Sequence, residues 1–250
     1  MKFSIVMPIH NDEEFLSSTL PSVWRVEPNE IILVFDEGDK DIEATKALIK
    51  KSPYGNVTRL IEVGNSPDWK FRIAFVRRAG FLAAKNEVIL NTDADTILDP
   101  KIKEYLDLIG RDGIALISFR RLEFPLSFSF FVRGLLILLH LEEPFSPIYA
   151  FQRQAWFGTE DFESLRKLET NEDAHLHHAI SKKHKILFKE VSCVHLKPVL
   201  TKARKYSEGK ARWQENRNPM WKALARTIVY LDFDGMMGYL HARWNGKDPN

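Results

Sequence analysis

Short apolar runs alternate with longer stretches whose apolar residues return every third or fourth position through the first part of the chain. KFSIVM, Lys2 to Met7, is a nearly unbroken apolar run closed by Pro8 and predicts a buried strand. From about Asp12 to Trp24, Phe15, Leu16, Leu20 and Val23 fall on one helical face. EIILVF, Glu30 to Phe35, is a second strand. Asp41 to Lys51 is a helix offering Ile42, Ala44, Leu48 and Ile49 to a core. Val57 to Val63 is a third strand, Phe71 to Ala84 a helix, and Glu87 to Leu90 opens a fourth strand. Strand alternating with helix is the mark of an α/β protein built on a mostly parallel sheet. Right-handed crossovers put helices on both of its faces.

Beyond this point the periodicity weakens. Ala115 to Phe119 reads as a strand, and Ile148 to Trp156 and Ile186 to His195 as strand-rich segments. Leu165 to Lys183 reads as partly helical, and Pro219 to Ala242 as helical. Phe124 to Leu141 is strongly apolar, but Arg133 sits in its middle and His140 near its end. A membrane-spanning helix needs about 20 largely uncharged residues. This segment instead suits a buried helix, an interfacial helix or a greasy wall for a lipid-like substrate.

In parallel α/β sheets, ligands lie beyond the carboxyl ends of the strands. The polar clusters fall at those ends. His10, Asn11 and Asp12 follow the first strand. Asp36, Glu37, Asp39 and Asp41 follow the second. Asp93 and Asp95 follow the fourth, with Asp99 close behind. An unpaired carboxylate is costly to desolvate, so acids at the end of an apolar run mark either an exposed strand end or a site holding something positive. A D-x-D pair can hold Mg²⁺ or Mn²⁺ through oxygen, leaving positions for substrate phosphates. Such a cation stabilises a leaving diphosphate as a Lewis acid. Taken alone, each cluster also fits a solvated loop.

The chain has 250 residues, is 44% hydrophobic and carries a formal net charge of +2. That length suits one large domain, and that charge gives no ground for a nucleic-acid partner. Cys193 is the one cysteine, so no intramolecular disulfide forms and nothing asks for an oxidising compartment. The first residues lack a signal peptide's pattern, and the protein reads as cytoplasmic. His175, His177 and His178 lack cysteines and a second ligand cluster. On a helix they point to different faces, so they read as solvated or satisfied rather than zinc-binding.

From about Ser4 to about Trp213 the chain resembles glycosyltransferase family 2, a group of inverting enzymes with the Rossmann-like GT-A fold. SIVMPIHNDEEFLSSTLPSV is similar to that family's first strand and helix, and ILVFDEGDKD to its second strand and acidic turn. RRAGFLAAKNEVILNTDAD keeps the family's distance from an Arg to the D-x-D, with Gly80 also in place. YAFQRQAWF, NEDAHL and VHLKP resemble, in order, the segment closing over the acceptor, the E-D-x-x-L motif and a late His-bearing strand end.

The resemblance implies a nucleotide-diphospho-sugar donor of UDP or GDP type, Mn²⁺ or Mg²⁺ as cofactor, and a glycan or lipid-linked acceptor. It implies that the backbone at Pro8 and Ile9, with Asp36 and Glu37, holds the base and ribose. The family usually has Asp where this chain has Glu37. Arg77 would contact base or diphosphate, Asp93 the ribose or metal, and Asp95 the metal, with His195 a further ligand. Asp173 would be the general base and Glu172 would orient the loop or the acceptor. Both acids would equally suit a helix N-terminus. Processive members carry Q-x-x-R-W, whereas this chain has GKARW, Gly209 to Trp213, and shows no membrane spans. That favours transfer of a single sugar, with Arg212 on the diphosphate and Trp213 stacked on a sugar, or both simply packing.

The expected division is a nucleotide-sugar-binding half (1–110), an acceptor-binding and catalytic half of the same domain (111–215) and a C-terminal helical extension (216–250). The apolar segments leave open peripheral attachment to the inner membrane surface or a homodimer. Two other readings compete. A nucleotidyltransferase shares the core but usually has a Gly-rich basic loop after the first strand, which PIHNDEEF lacks. A GT-A relative that only binds nucleotide sugars would need none of Asp93, Asp95 and Asp173.

Overall fold

The computed structural model describes residues 1–10, 12–37, 42–64, 68–69, 72–123, 146–159, 166, 172–196, 220, 224 and 233–245. Among these residues eight strands form one sheet: β1 (Phe3–Ile9), β2 (Glu30–Asp36), β3 (Thr58–Val63), β4 (Val88–Asn91), β5 (Thr96–Ile97), β6 (Ile114–Glu123), β7 (Tyr149–Gln152) and β8 (Lys185–His195). Their order across the sheet is β3-β2-β1-β4-β7-β6-β8-β5. The helices are α1 (Glu13–Arg25), α2 (Ile42–Lys50), α3 (Arg72–Ala83), α4 (Ile102–Leu106), α5 (Arg153–Phe157), α6 (Glu172–Ser181) and α7 (Phe233–Asn245).

The expected parallel α/β architecture holds in β3-β2-β1-β4, where β1 pairs parallel with both β2 and β4, and β2 with β3. Successive strand residues face opposite sides of the sheet. Ile5, Met7, Ile31, Leu33 and Phe35 therefore pack with α1, α2 and α4, through Leu16, Leu20, Ile49 and Ile102. Val6, Ile32, Val34 and Ile89 pack with α3, α5 and α6, through Val76, Phe81, Trp156, Leu176 and Ile180. Helices thus cover both faces.

β1 runs two residues past its predicted end, through Pro8. The Val6 carbonyl accepts from Thr92, on the β4 side. Pro8 lies two residues on and turns its backbone the same way. The last β4 partner is Asn91, opposite Val6, so the missing Pro8 N–H breaks no ladder bond.

The second half pairs antiparallel: β7 with β4 and with β6, and β5 with β8. The strand expected over Ile148 to Trp156 splits into β7 and α5. The helix expected within Leu165 to Lys183 is α6. The expected halves 1–110 and 111–215 contribute strands to the same sheet.

The chain forms two compact units. The first, Met1–Leu122 with Pro144–Lys167 and Asn171–Leu196, holds the described sheet and α1 to α6. The second is Glu123–Glu143, Leu168–Thr170 and Lys197–Asn250. Its described helix is α7, on which Tyr239 is buried while Met237 and Trp244 are exposed. The apolar segment Phe124 to Leu141, the loop acids Asp39 and Asp41, Asn11, and Arg212 and Trp213 lie outside the described residues. Among the described residues no helix is long and apolar enough to cross a membrane.

Candidate active site

The three acids after β4 have three different surroundings. β4 ends at Asn91, and a turn closed by the Thr96 amide on the Asp93 carbonyl (3.3 Å) leads into β5. Thr19 of α1 supports the turn by donating to the Ala94 carbonyl at 2.8 Å. Asp93 Oδ1 accepts from Arg77 Nη2 at 2.5 Å. Asp95 is buried, and its Oδ2 lies 3.0 Å from His195 Nε2. Strand pairing brings that histidine there: Thr96 faces His195 across β5 and β8, and the Leu196 amide donates to the Asp95 carbonyl at 2.8 Å. Asp99 serves the backbone instead. Its carboxylate accepts from the amides of Lys101 (2.9 Å) and Ser192 (2.8 Å), so it ties β8 to the approach to α4.

Arg77 projects inward from α3 and is 6% exposed. Besides Asp93, it pairs through Nη1 with Glu172 Oε1 at the start of α6. Two carboxylates therefore share one buried guanidinium, and contact with a donor would require at least one of them to yield. Next to Glu172, Asp173 is half-buried, and its Oδ1 accepts from the Ala174 amide at 2.8 Å. His177, fully buried, lies with Nδ1 2.5 Å from the Asp173 carbonyl and its ring edge-on to Tyr149, 4.9 Å between centroids. Burial lowers the His177 pKa, and the contact with Asp173 opposes that shift without cancelling it. His178 is exposed and His175 half-buried, so the three histidines do face different ways.

At the end of β2, Asp36 Oδ1 accepts from Arg72 Nε at 2.7 Å and also pairs with Arg72 Nη2. Arg72 donates as well to the carbonyl of Gly64 at 2.8 Å and lies over the Phe75 ring. Its hydrogen bonds, more than burial opposes them, hold the Asp36 carboxyl below its ordinary pKa. Glu37 is exposed, and its amide donates to Asp36 Oδ1 at 2.8 Å. Pro8 and Ile9 are buried, with the Ile9 side chain in the core beneath the rim. Sequence reasoning missed Arg72, Thr19 and Tyr149. Only Arg72 carried a signal, an arginine in the first turn of the helix after β3.

Among the described residues no group of three or more His, Cys, Asp or Glu side chains is placed to hold a metal ion. Asp93, a candidate ligand by sequence, has one oxygen on Arg77. Asp95 and His195 nonetheless fit a small divalent cation. Two neighbouring ligands of an octahedral ion, each about 2.1 Å away, stand about 3.0 Å apart. One carboxylate and one imidazole would leave most of the coordination sphere to water and to a ligand's phosphates.

A parallel sheet with acids at its carboxyl rim, continued by antiparallel strands, is the GT-A arrangement. The sequence pattern of Glycosyl transferase family 2 matches residues 4–164, and the chain belongs to that family. It is thus a glycosyltransferase. Comparison with curated proteins finds no match. Solved structures with the same fold include the mannosyltransferase PcManGT from Pyrobaculum calidifontis, in complex with GDP-Man and Mn²⁺. It is 13% identical, with a TM-score of 0.68 over 99% of this chain and 76% of that one. Glucosyl-3-phosphoglycerate synthase from Mycobacterium tuberculosis, in complex with Mn²⁺, UDP-Glc and phosphoglyceric acid, is 16% identical, with a TM-score of 0.56 over 87% of this chain and 80% of that one. TarS 1-349 from S. aureus, in complex with UDP, is 14% identical, with a TM-score of 0.55 over 87% and 66%. At these identities the likeness is one of fold.

Proposed function

We propose that the protein transfers a single hexosyl or N-acetylhexosaminyl group, with inversion, from a UDP- or GDP-type nucleotide sugar to a glycan or lipid-linked acceptor. The observation that carries this reading is the Asp95–His195 pair at the β4 rim, 3.0 Å apart in a chain of this family. Asp95 and His195 would hold the divalent cation, with Asp93 beside them. Bound there, the cation would neutralise the diphosphate as a Lewis acid. Asp36, kept ionised by Arg72, supports a role in accepting hydrogen bonds from base or ribose, with Glu37 and the Pro8–Ile9 backbone at the same rim.

Asp173 acts as general base in this reading. The acceptor hydroxyl oxygen bonds to the anomeric carbon from the face opposite the diphosphate. The bond from that carbon to the diphosphate oxygen breaks, and its electron pair leaves with the nucleoside diphosphate. The hydroxyl proton passes to the Asp173 carboxylate. The Ala174 amide and the first turn of α6 hold that carboxylate in place.

The test is a thermal-shift and hydrolysis panel of UDP-, GDP- and dTDP-sugars with Mn²⁺, Mg²⁺ or EDTA, on wild type and Asp95→Ala. A nucleotide at a hundred times its Kd stabilises the fold by about 2.7 kcal/mol. One nucleotide should stabilise the wild type with metal and not with EDTA, and Asp95→Ala should abolish the effect. If no nucleotide shifts the melt and the variant behaves as wild type, the catalytic reading gives way to a non-catalytic family member.

A further inference from the structure

Arg77 joins parts of the chain that are distant in sequence. It stands on α3, Asp93 follows β4, and Glu172 opens α6. Burying an arginine between carboxylates adds little stability over an apolar side chain of the same volume, because desolvation offsets the attraction. Nor is this guanidinium fully satisfied: its buried Nε has no hydrogen-bond partner among the described residues. What the triad does supply is geometry. A guanidinium is planar and rigid, and engaging both terminal nitrogens sets the separation and angle of the two groups it holds. One is on the turn that carries Asp95. The other is the residue before Asp173. The Asp173 carbonyl is held independently by His177, itself packed on Tyr149 of β7.

We propose that Arg77 is a positioning residue: its shared ion pairs with Asp93 and Glu172 fix the start of α6, and with it the Asp173 carboxylate, against the Asp93–Asp95 turn. The inference rests on the reading of Asp173 as the base. It departs from the expectation that Arg77 touches the donor. A base displaced by a fraction of an ångström loses its line to the acceptor hydroxyl while the donor still binds.

The experiment measures transfer kinetics and nucleoside-diphosphate affinity for wild type, Glu172→Gln, Arg77→Lys and the double variant. Glu172→Gln keeps the shape of the side chain and removes its charge. Arg77→Lys keeps the charge and loses the planar fork. Each single variant should lower kcat about 10- to 100-fold while donor KM and nucleotide Kd stay within about threefold. The double variant should be no worse than the poorer single one, because both break the same unit.

The inference is overturned if Glu172→Gln keeps kcat within about twofold, if nucleotide affinity falls as far as kcat, or if the two losses multiply. Loss that tracks only the folded fraction overturns it as well. Should Arg77→Lys fail to fold, the nearly isosteric Glu172→Gln decides alone. A wild type that turns over no nucleotide sugar overturns both the reading of the site and this inference. Normal wild-type turnover with an unaffected Glu172→Gln overturns the inference only.

Discussion

The two halves of the sheet reach their order by different routes. In β3-β2-β1-β4 every described pair is parallel, and helices α1 to α3 link the strands in chain order. In the other half, β7 pairs antiparallel with β4 on one edge and β6 on the other, while β8 returns to clasp the two-residue β5. The first half supplies the acids Asp36, Asp93 and Asp95. The second supplies Glu172, which shares Arg77 with Asp93, and His195, which meets Asp95. Asp36 and Asp93 find their arginines, Arg72 and Arg77, on α3 within the first half, whereas Asp95 and Glu172 meet their partners only across the two halves. The Asp36 end of the rim is therefore built by local βαβ structure, and the end where Asp95 meets His195 and Arg77 meets Glu172 exists only once distant parts of the chain have paired.

The strongest way to break this comparison is at the joint between the halves. Trp156 of α5 is 1% exposed and meets Phe81 of α3 edge-on, with centroids 5.4 Å apart. Phe81 also meets Phe151 of β7 at 5.0 Å. Trp156→Ala removes the middle of that cluster and should cost about 3–5 kcal/mol. Denaturant unfolding followed by far-UV circular dichroism and by hydrogen exchange measures it. A single shared transition at lower denaturant is expected. Early exchange confined to β6 to β8 would instead make the second half a separate cooperative unit.

How far the sequence discloses this molecule follows the same divide. The strands β1 to β4 and helices α1 to α3 are legible because each declares itself through local periodicity. β5 is too short to leave a pattern, and α4 is a five-residue helix without one. β7 and α5 share one apolar stretch whose break at Arg153 depends on the Glu87 carbonyl, which accepts from the Arg153 amide at 2.8 Å. Of the three acids after β4, spacing alone does not tell Asp99, which serves backbone amides, from Asp95, which faces His195. Family resemblance had named Asp95 and His195 together, but their approach comes from strand pairing across ninety-odd residues of chain. The partner of Asp36 is set by tertiary packing, and so is that of Glu172.

A milder perturbation sits at the opposite end of the first half. Glu30 starts β2 and is buried. It accepts from Ser4 Oγ (2.7 Å), Arg59 Nη1 (2.7 Å) and the Lys85 amide (2.9 Å), which joins β1, β3 and the approach to β4 far from the carboxyl rim. Burial pushes its carboxyl up, but the hydrogen bonds outweigh this and leave the pKa below the ordinary 4.5. A depressed folded-state value means that the stabilisation is present above the unfolded pKa and fades as pH falls through the folded one. Glu30→Gln should lose about 1.5–3 kcal/mol at neutral pH, measured by urea unfolding. The gap to wild type should close as pH drops below the unfolded-state pKa of 4.5. A gap that stayed constant with pH would mean that shape, not charge, matters at this position.

The smallest effect is the most informative about how the halves communicate. Gly80 lies one turn beyond Arg77 on α3, where the helix presses on the sheet. A Cβ there would stand 2.4 Å from Val6 Cγ1 and 2.8 Å from Val34 Cγ2. Both valines are fully buried, so neither methyl has room to retreat. Replacing glycine by alanine in a helix gains about 1 kcal/mol of propensity. Overpacking a filled core costs about 1–3 kcal/mol. The gain offsets part of the cost, and Gly80→Ala should destabilise by up to about 2 kcal/mol in urea. The strain has one easy outlet, a small lift of α3 away from β1 and β2. That lift would carry Arg77 with it and loosen its hold on Asp93 and Glu172. Activity should then fall by more than the stability change accounts for, and Val6→Ala in the Gly80→Ala background should restore part of it by removing the nearer of the two methyls. Activity falling only in step with stability would show that α3 absorbs the methyl without moving Arg77, and that the two halves of the site tolerate more slack than the buried guanidinium suggests.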